Sequence, residues 1–212
     1  MIFYGYFRSS SAYRCRIAFN LKGVTPEALP VNLREGAQKA EAFRRLNPQG
    51  LVPALDTGGG VLFQSLAIIE WLDETHPLPP LLPAGPIMRA HVRGFAQIIA
   101  CEVHPLQNLR VLNYIKQHHG QDQAGADQWC RHWIAEGLAA CEVIAASQTH
   151  RGGFTFGEAP GLADICLIPQ MFSADRFGLD LAPYGRLREI RAVAEALPAF
   201  ADAHPARQPD AI

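Results

Sequence analysis

A proline-rich stretch near the middle of the chain separates two different sequence patterns. Five of the ten residues from 77 to 86 are proline. Proline lacks a backbone N–H and its ring clashes inside a helix, so this stretch is stiff and unsuited to a helix or a central strand. Before it, short apolar runs alternate with helical patterns, whereas after it only helical patterns remain. We therefore predict two domains, residues 1–76 and 87–212, joined by a linker at 77–86.

The first 76 residues predict the element order β-α-β-α-β-β-α. Strands are expected at residues 2–6, 29–33, 52–55 and 61–63, and helices at residues 11–22, 35–46 and from 65 onwards. Pro30 favours an edge position for the second strand, the glycines at 58–60 favour a hairpin turn, and Ser65 is expected to cap the third helix. A β-α-β start followed by β-β-α predicts a mixed four-stranded sheet with helices packed against it.

The sequence after the linker predicts an all-helical domain. Helices are expected at 87–118, 126–146, 161–174 and as a pair within 183–197. The first of these must be kinked or interrupted at His104-Pro105, because proline cannot continue the helical hydrogen bonds. The last eight residues are expected to form a loose tail.

A serine turn, residues 9–11, lies between the first predicted strand and the first predicted helix. Unpaired N–H groups at a helix N-terminus carry partial positive charge, which favours anions and thiolates. Arg8, Arg14 and Arg16 add further positive charge nearby. Taken alone, the turn predicts a helix cap, with an anion site as the alternative.

Charge and apolar patterning exclude several classes of partner. The formal net charge of −1 gives no reason to propose nucleic acid or an anionic membrane. No basic region precedes an apolar run at the N-terminus, and no apolar stretch approaches the roughly 20 residues needed to span a bilayer. These observations predict a cytoplasmic protein with no nucleic-acid or membrane partner.

Cysteine and histidine spacing predicts no metal site. The five cysteines are widely spaced without a C-x-x-C pair, so most are expected to be small buried hydrophobic residues. His118 and His119 are adjacent and therefore point to different faces of a helix. No H-E-x-x-H motif occurs.

Four segments carry more specific motifs. They are Arg-Ser-Ser-Ser-Ala-Tyr-Arg at 8–14, Asn47-Pro48 through Val52-Pro53, Gln-Ser-Leu-Ala-Ile-Ile-Glu at 64–70 and His-Pro-Leu-Gln-Asn-Leu-Arg at 104–110. They resemble, in order, the sulfur-site signature of the zeta-class glutathione transferases, the cis-proline segment, the glutamyl-binding turn and a second-domain motif of that class. The zeta class comprises the maleylacetoacetate and maleylpyruvate isomerases. The last motif is the most specific, whereas the second and third belong to the whole superfamily.

The resemblance extends over essentially the whole chain and implies a fold and a cofactor. The expected fold is an α/β thioredoxin-like N-terminal domain followed by an all-α C-terminal domain, in the glutathione transferase architecture. The expected cofactor is glutathione, the expected substrate is a small dicarboxylate, and the family implies a homodimer.

The resemblance also implies the site residues. The expected glutathione-binding residues are Ser9, Ser10, Ser11, Gln38, Gln49, Val52, Gln64, Ser65, His104, Asn108 and Arg110. The expected catalytic residues are Arg8, Ser10, Ser11, Arg110 and Arg176. The serine hydroxyls would lower the pKa of the glutathione thiol from its usual value of about 8.5, and arginine suits carboxylates because its planar fork binds both oxygens. Arg176 also fits an exposed cation at a helix end. His104 is expected to contact glutathione rather than act as a base, and Arg14 and Arg16 to be structural or surface-exposed.

Three positions depart from the family pattern. Ser11 replaces a cysteine and Tyr13 replaces a tryptophan in the sulfur-site motif, and Gly161 replaces the serine or threonine of a helix capping box. Glycine is still an acceptable cap, so we expect the fold to survive. Ser11 removes a reactive protein thiol, which mildly favours the maleylpyruvate branch and makes the cofactor's thiol the expected nucleophile.

Three functional hypotheses follow. The first is a glutathione-dependent cis–trans isomerase acting on maleylpyruvate or maleylacetoacetate in aromatic-compound catabolism; the sequence does not separate the two substrates. The second is a general glutathione transferase or peroxidase, which would line its substrate pocket with apolar residues rather than arginines. The third is a non-enzymatic binding module, since a fold does not fix a function. The retained motifs around Val52-Pro53 and Gln64-Ser65 disfavour the third.

Overall fold

The computed structural model describes residues 1–149 and 152–211, which form two compact units. The first unit contains Met1–Leu81 together with Ala196–Ile212, and the second contains Leu82–Glu195. The ranges 1–76 and 87–212 stay predictions, but the structure groups the C-terminal segment with the first unit. Hydrogen bonds explain this grouping: Arg16 Nε donates to the Ala203 carbonyl at 3.0 Å, and the Phe7 N–H donates to the Asp210 carboxylate at 2.9 Å.

The first unit contains a mixed sheet with helices packed against it. Its main elements are β1 (Ile2–Gly5), α1 (Ser10–Lys22), β2 (Glu27–Pro30), α2 (Glu41–Leu46), β3 (Ala54–Asp56), β4 (Val61–Phe63), α3 (Ser65–Thr75) and α9 (Pro198–Ala201). The order is β2-β1-β3-β4, with β1 parallel to β2 and the other pairs antiparallel. The predicted β-α-β-α-β-β-α order and the mixed four-stranded sheet are thus confirmed.

A buried ion pair connects α1 to α3. Lys22 Nζ donates to the Asp73 carboxylate at 2.6 Å and also to the Pro79 carbonyl, while the Leu81 N–H donates to the same carboxylate at 2.9 Å. The Lys22 side chain is 0% exposed. The next residue, Gly23, has a left-handed conformation (φ 65°) and ends α1 as predicted. The pair holds the start of the proline-rich stretch against both helices.

Three predicted elements of the first unit differ in the structure. The second strand ends at Pro30 rather than residue 33, because proline cannot donate within the ladder and the strand lies at the sheet edge, as predicted. The helix predicted at 35–46 is divided into a 3₁₀ turn at Ala37–Lys39 and α2, because Gly36 is left-handed and Ala40 is extended. The predicted loose tail was wrong: Pro205–Arg207 form a 3₁₀ turn. Residue 212 lies outside the described residues.

The second unit is helical, as predicted, but residues 183–197 contain one helix, Gly185–Glu195, rather than the expected pair. Leu197 is extended ahead of Pro198, and the following helix begins only at Pro198. The main elements of the second unit are α4 (Pro86–Gln97), a π-helical segment (Ile98–Val103), a 3₁₀ turn (His104–Gln107), α5 (Leu109–His118), α6 (Gln123–Ala146), α7 (Leu162–Arg176) and α8 (Gly185–Glu195). The expected interruption at His104-Pro105 is confirmed. The Asp164 carboxylate accepts the Gly161 N–H at 2.9 Å, so α7 keeps half of a capping box despite the glycine. In the described ranges, no helix is long and apolar enough to cross a membrane.

Candidate functional site

The serine turn at residues 9–11 both caps α1 and connects to a distant loop. Ser9 is the N-cap, and its Oγ accepts the Ala12 N–H at 3.2 Å. Ser9 Oγ and Ser11 Oγ are 3.0 Å apart, and the Ser11 hydroxyl donates to the Val52 carbonyl at 3.2 Å. Ser10 is the first residue of α1 and is buried with Ser11. The cap prediction is confirmed, and the Ser11 proton is directed to Val52.

The loop from Asn47 to Pro53 is shaped by one buried asparagine. Asn47 Nδ2 donates to the Leu51 carbonyl at 2.7 Å, and its Oδ1 accepts the Gln49 N–H at 3.2 Å. The Val52-Pro53 peptide bond is cis, as the motif predicted. Asn47 was not among the predicted site residues, although Asn-Pro-Gln-Gly is a typical turn sequence in which asparagine bonds its own backbone.

The turn before α3 contains an unusual backbone conformation. Gln64 has φ 69°, and it is the one non-glycine residue with positive φ in the described part of the chain. Such a conformation costs about 1–3 kcal/mol and is concentrated at ligand sites. Gln64 is the N-cap and Ser65 is the first helical residue, so the prediction that Ser65 caps α3 was wrong by one position. Gln64 Nε2 donates to Gln49 Oε1 at 2.7 Å.

Gln38 lies in the 3₁₀ turn beside the Asn47–Pro53 loop. Its backbone carbonyl is 2.9 Å from where a Cβ would lie on Gly50, whose φ of 62° also favours glycine. The Gln38 side chain is buried, and its Oε1 has no hydrogen-bond partner within residues 1–149 and 152–211. A buried acceptor without a donor costs free energy, so this atom is suited to accept a hydrogen bond from a ligand.

The first unit therefore connects its three motif segments with one another and with the turn that carries Gln38. Ser11 bonds Val52, Gln49 bonds Gln64, and Gln38 packs on Gly50. The N-termini of α1 and α3 carry no acidic residue in their first turns, so neither partial positive charge is neutralised there. Two such helix ends, with an unpaired amide acceptor, fit a peptide-like ligand that carries a carboxylate and a thiolate, as glutathione does.

The arginines near the serine turn differ in their surroundings. Arg8 is half-buried and its guanidinium lies 5.9 Å from the centroid of the Phe7 ring, with no ion pair to a described carboxylate. Arg14 is buried, which rules out a surface role. Arg16 donates to the Phe7 and Ala203 carbonyls, and burial lowers its pKa to about 10. Arg8 is thus the arginine of this group that is suited to an anionic ligand.

Three predicted residues of the second unit lie on one short segment. His104 begins the 3₁₀ turn and is half-buried, Asn108 is the N-cap of α5, and Arg110 is exposed in its first turn. Asn108 Oδ1 accepts the Arg110 N–H at 3.1 Å, so the side chain of Asn108 presents its NH₂ group as a donor.

Arg176 ends α7 and is exposed, with its guanidinium 4.6 Å from the centroid of the Phe177 ring. Burial raises the pKa of the nearby Cys130 thiol to about 11. The charge of Arg176 opposes this rise as a smaller effect. This placement is consistent with both expectations for Arg176: a cation that binds the substrate, and a cation at a helix end.

Comparison with known proteins identifies the family. A family model for the glutathione S-transferase N-terminal domain matches residues 8–75. A maleylpyruvate isomerase from Ralstonia sp is 48% identical over 99% of both chains, and a maleylacetoacetate isomerase from Pseudomonas aeruginosa is 48% identical over 99% of this chain and 98% of the relative.

Solved structures of related proteins have the same fold. A holo maleylpyruvate isomerase described as a bacterial zeta-class glutathione S-transferase covers 100% of both chains at 48% identity, with a TM-score of 0.98. A maleylacetoacetate isomerase from Methylobacterium extorquens AM1, with bound malonate and glutathione, covers 100% of both chains at 40% identity and a TM-score of 0.96.

The architecture is that of a glutathione transferase. A thioredoxin-like unit carries the serine turn, the cis-proline loop and the Gln-Ser turn, and a helical unit follows it. Identity and coverage place the sequence within one branch of that superfamily. The chain belongs to the zeta class, the family of the maleylpyruvate and maleylacetoacetate isomerases.

Proposed function

We propose that this protein is a glutathione-dependent cis–trans isomerase that converts maleylpyruvate or maleylacetoacetate to the fumaryl product in aromatic-compound catabolism. The observation that carries the proposal is the zeta-class relationship, which covers the whole chain at 48% identity to a maleylpyruvate isomerase. The region of similarity includes both the anion-facing turns of the first unit and the His104–Arg110 segment of the second.

Within the first unit, the N-termini of α1 and α3 are proposed to bind different parts of glutathione. Gln64 and Ser65 at the N-terminus of α3 suit the glutamyl carboxylate, and Val52 beside the cis-proline suits backbone pairing with the cysteinyl residue. Gln38 and Gln49 supply amide groups for the remaining polar atoms. When bound, glutathione supplies a thiolate that can add reversibly to a conjugated double bond.

The serine turn is suited to stabilising that thiolate. Hydroxyl and N–H donors at the N-terminus of α1 favour the charged form of a thiol, which lowers its pKa from about 8.5. Each unit of pKa corresponds to about 1.4 kcal/mol, which two or three hydrogen bonds can supply. In the structure Ser11 donates to the Val52 carbonyl and bonds Ser9, so its hydroxyl donates to the thiolate only after it turns away from Val52.

The arginines are assigned to charge on the substrate. Arg8 in the first unit, and Arg110 and Arg176 in the second, are proposed to neutralise the carboxylates and the enolate charge that develops while the central bond rotates. The malonate bound by the Methylobacterium extorquens relative supports a dicarboxylate as the substrate class. His104, Asn108 and Arg110 are proposed to contribute donors to glutathione.

The direct test is an isomerase assay. Purified protein with maleylpyruvate and glutathione should remove the substrate's absorbance and yield fumarylpyruvate, with no conversion when glutathione is omitted. Maleylacetoacetate is tested in parallel, and the ratio of kcat/KM values identifies the preferred substrate. If neither diacid is converted in the presence of glutathione, the proposal is wrong. Conjugation of glutathione to other electrophiles without isomerisation would instead favour a general transferase.

Arg176→Ala tests the assignment of that arginine. The variant should raise KM for the diacid and leave the affinity for glutathione unchanged, because a substrate carboxylate loses its counter-charge. Arg188→Ala, which removes another exposed arginine of the second unit, is the matched control and should leave both values unchanged. An unchanged KM for Arg176→Ala would assign the residue to the helix end alone.

We also propose that the protein functions as a cytoplasmic homodimer. The family implies a dimer, and Phe63 on the edge strand β4 is 45% exposed, which is consistent with an apolar face that another chain covers. Light scattering during gel filtration should give about twice the chain mass of 23.2 kDa. A mass of one chain at micromolar concentration would contradict this.

A further inference from the structure

Two buried glutamines face each other in the second unit. Gln107 is the last residue of the 3₁₀ turn before Asn108, and Gln170 lies in α7. Gln107 Nε2 donates to Gln170 Oε1 at 2.6 Å, and the residues are 6% and 1% exposed. Gln107 lies within the 104–110 motif, but neither glutamine was among the predicted site residues.

This amide pair is only half satisfied. Gln107 Oε1 and Gln170 Nε2 are both buried and have no hydrogen-bond partner in the described ranges. An apolar pair of similar size would fill the same space without burying two unpaired polar atoms. The pair is therefore poorly explained by packing alone, and its directional bond is the property that an apolar pair lacks.

The direction of the Gln107–Gln170 bond matters because the backbone changes its helical geometry on either side of Gln107. The chain enters the turn from the π-helical segment Ile98–Val103, passes through 3₁₀ geometry, and starts α5 at Leu109. Interruptions of this kind within a helical stretch have weaker internal hydrogen bonding, so side chains from neighbouring elements must hold them. One such bond is Trp129 Nε1 to the Leu106 carbonyl at 2.8 Å, and another is Gln107 to Gln170.

We propose that Gln107 and Gln170 are positioning residues for glutathione binding, which fix the direction of the Asn108–Arg110 segment. Asn108 follows Gln107 directly, and its Oδ1 is already used by the Arg110 N–H, so a change in the turn redirects the Asn108 NH₂ group and Arg110 together. This inference rests on the proposed function, because it assumes that these two residues contact glutathione.

The test replaces each glutamine by methionine, which has a similar length and lacks an amide. Gln107→Met is expected to raise both Kd and KM for glutathione about three- to tenfold, the factor expected when one hydrogen bond to a ligand is misplaced. The kcat at saturating glutathione should fall as well, because Arg110 is also assigned to the charge on the substrate, so the Kd for glutathione is the deciding measurement. Gln170→Met should reproduce the change in KM, because it removes the acceptor of the same bond.

The double variant and two controls complete the experiment. Gln107→Met with Gln170→Met should raise Kd no further than either single change, because both remove one bond. Gln128→Met makes the same chemical change on an exposed residue and should leave Kd unchanged. The free energy of unfolding is measured for each variant, and calorimetric titration with glutathione gives Kd without requiring turnover.

The outcomes separate this inference from the proposed function. If the unmodified protein does not bind glutathione, both are wrong. If it binds glutathione but Gln107→Met and Gln170→Met lower only the free energy of unfolding and keep Kd unchanged, the amide pair is merely structural and the inference alone is overturned. Additive effects in the double variant would likewise show that the two residues do not act as one unit.

Discussion

Replacing Lys22 by methionine should be among the most destabilising single changes in α1. The Lys22 side chain is 0% exposed and that of Asp73 is 13% exposed, so the substitution leaves a largely buried carboxylate without its cation. The Pro79 carbonyl loses its donor as well, and Asp73 keeps only the Leu81 N–H among the described contacts. Removing one partner of a buried ion pair typically lowers the free energy of unfolding by about 3–5 kcal/mol. That is a large share of the roughly 5–15 kcal/mol by which proteins are usually stable.

A second substitution separates the charge from the packing. Adding Asp73→Asn to Lys22→Met removes the unpaired charge but keeps an acceptor for the Leu81 N–H. The double variant should therefore be at least about 1 kcal/mol more stable than Lys22→Met alone. Arg45→Met is the matched control, because it breaks an ion pair with Glu41 in which the side chains are 72% and 83% exposed. Such exposed helix pairs contribute only about 0.3–0.5 kcal/mol.

Urea unfolding is the appropriate assay, because urea is uncharged and does not screen ion pairs. Circular dichroism and tryptophan fluorescence are followed together, since two units need not unfold in one step. A loss of less than about 1 kcal/mol for Lys22→Met would refute the reasoning from burial. So would a double variant no more stable than the single one.

Two further predictions concern the serine turn and the cysteines. Ser11→Ala removes the donor to the Val52 carbonyl and should lower the free energy of unfolding by about 1 kcal/mol, measured in urea; no change would mean that water replaces the bond. Burial raises the pKa of Cys130 to about 11 and that of Cys141 to about 12, whereas Cys101 is exposed. A colorimetric thiol reagent at pH 8 should therefore modify Cys101 alone in the native protein and all five cysteines after unfolding, and rapid native reaction of more than one thiol would contradict the burial.

Local signals predicted most of the fold. The apolar runs, the glycine after Lys22 and the glycines at 58–60 specify strands, a helix end and a hairpin through short-range sterics. The helix end and the hairpin occur where expected, whereas the bounds of the second and third strands differ by a few residues. The division of the helix at 35–46 was not predictable in the same way. Residues 37–46 favour a helix locally, but Ala40 is extended and the buried Gln38 packs on Gly50, which is a contact between distant parts of the sequence.

The candidate site was predicted as separate segments rather than as an arrangement. Motifs identified the serine turn, the cis-proline and the Gln-Ser turn, because each depends on a few adjacent residues. The bond from Ser11 to Val52 joins residues 41 positions apart, and no spacing rule predicts which hydroxyl makes it. The same limit applies to Gln107 and Gln170, which are 63 positions apart, so no local pattern predicts that they pair. The site assignments themselves stay predictions until the variants are measured.

The return of the chain to its first unit has a consequence for biosynthesis. Residues 196–211 supply the Ala203 carbonyl to Arg16 and the Asp210 carboxylate to Phe7, yet a ribosome makes them only after the whole second unit. Domains made early in translation usually fold as soon as they emerge. Here the glutathione-binding unit emerges first but lacks part of its packing until the helical unit has been synthesised. The first unit therefore completes its folding only after residues 196–211 have been synthesised. A chain stalled before that point would expose the α1 surface that α9 covers.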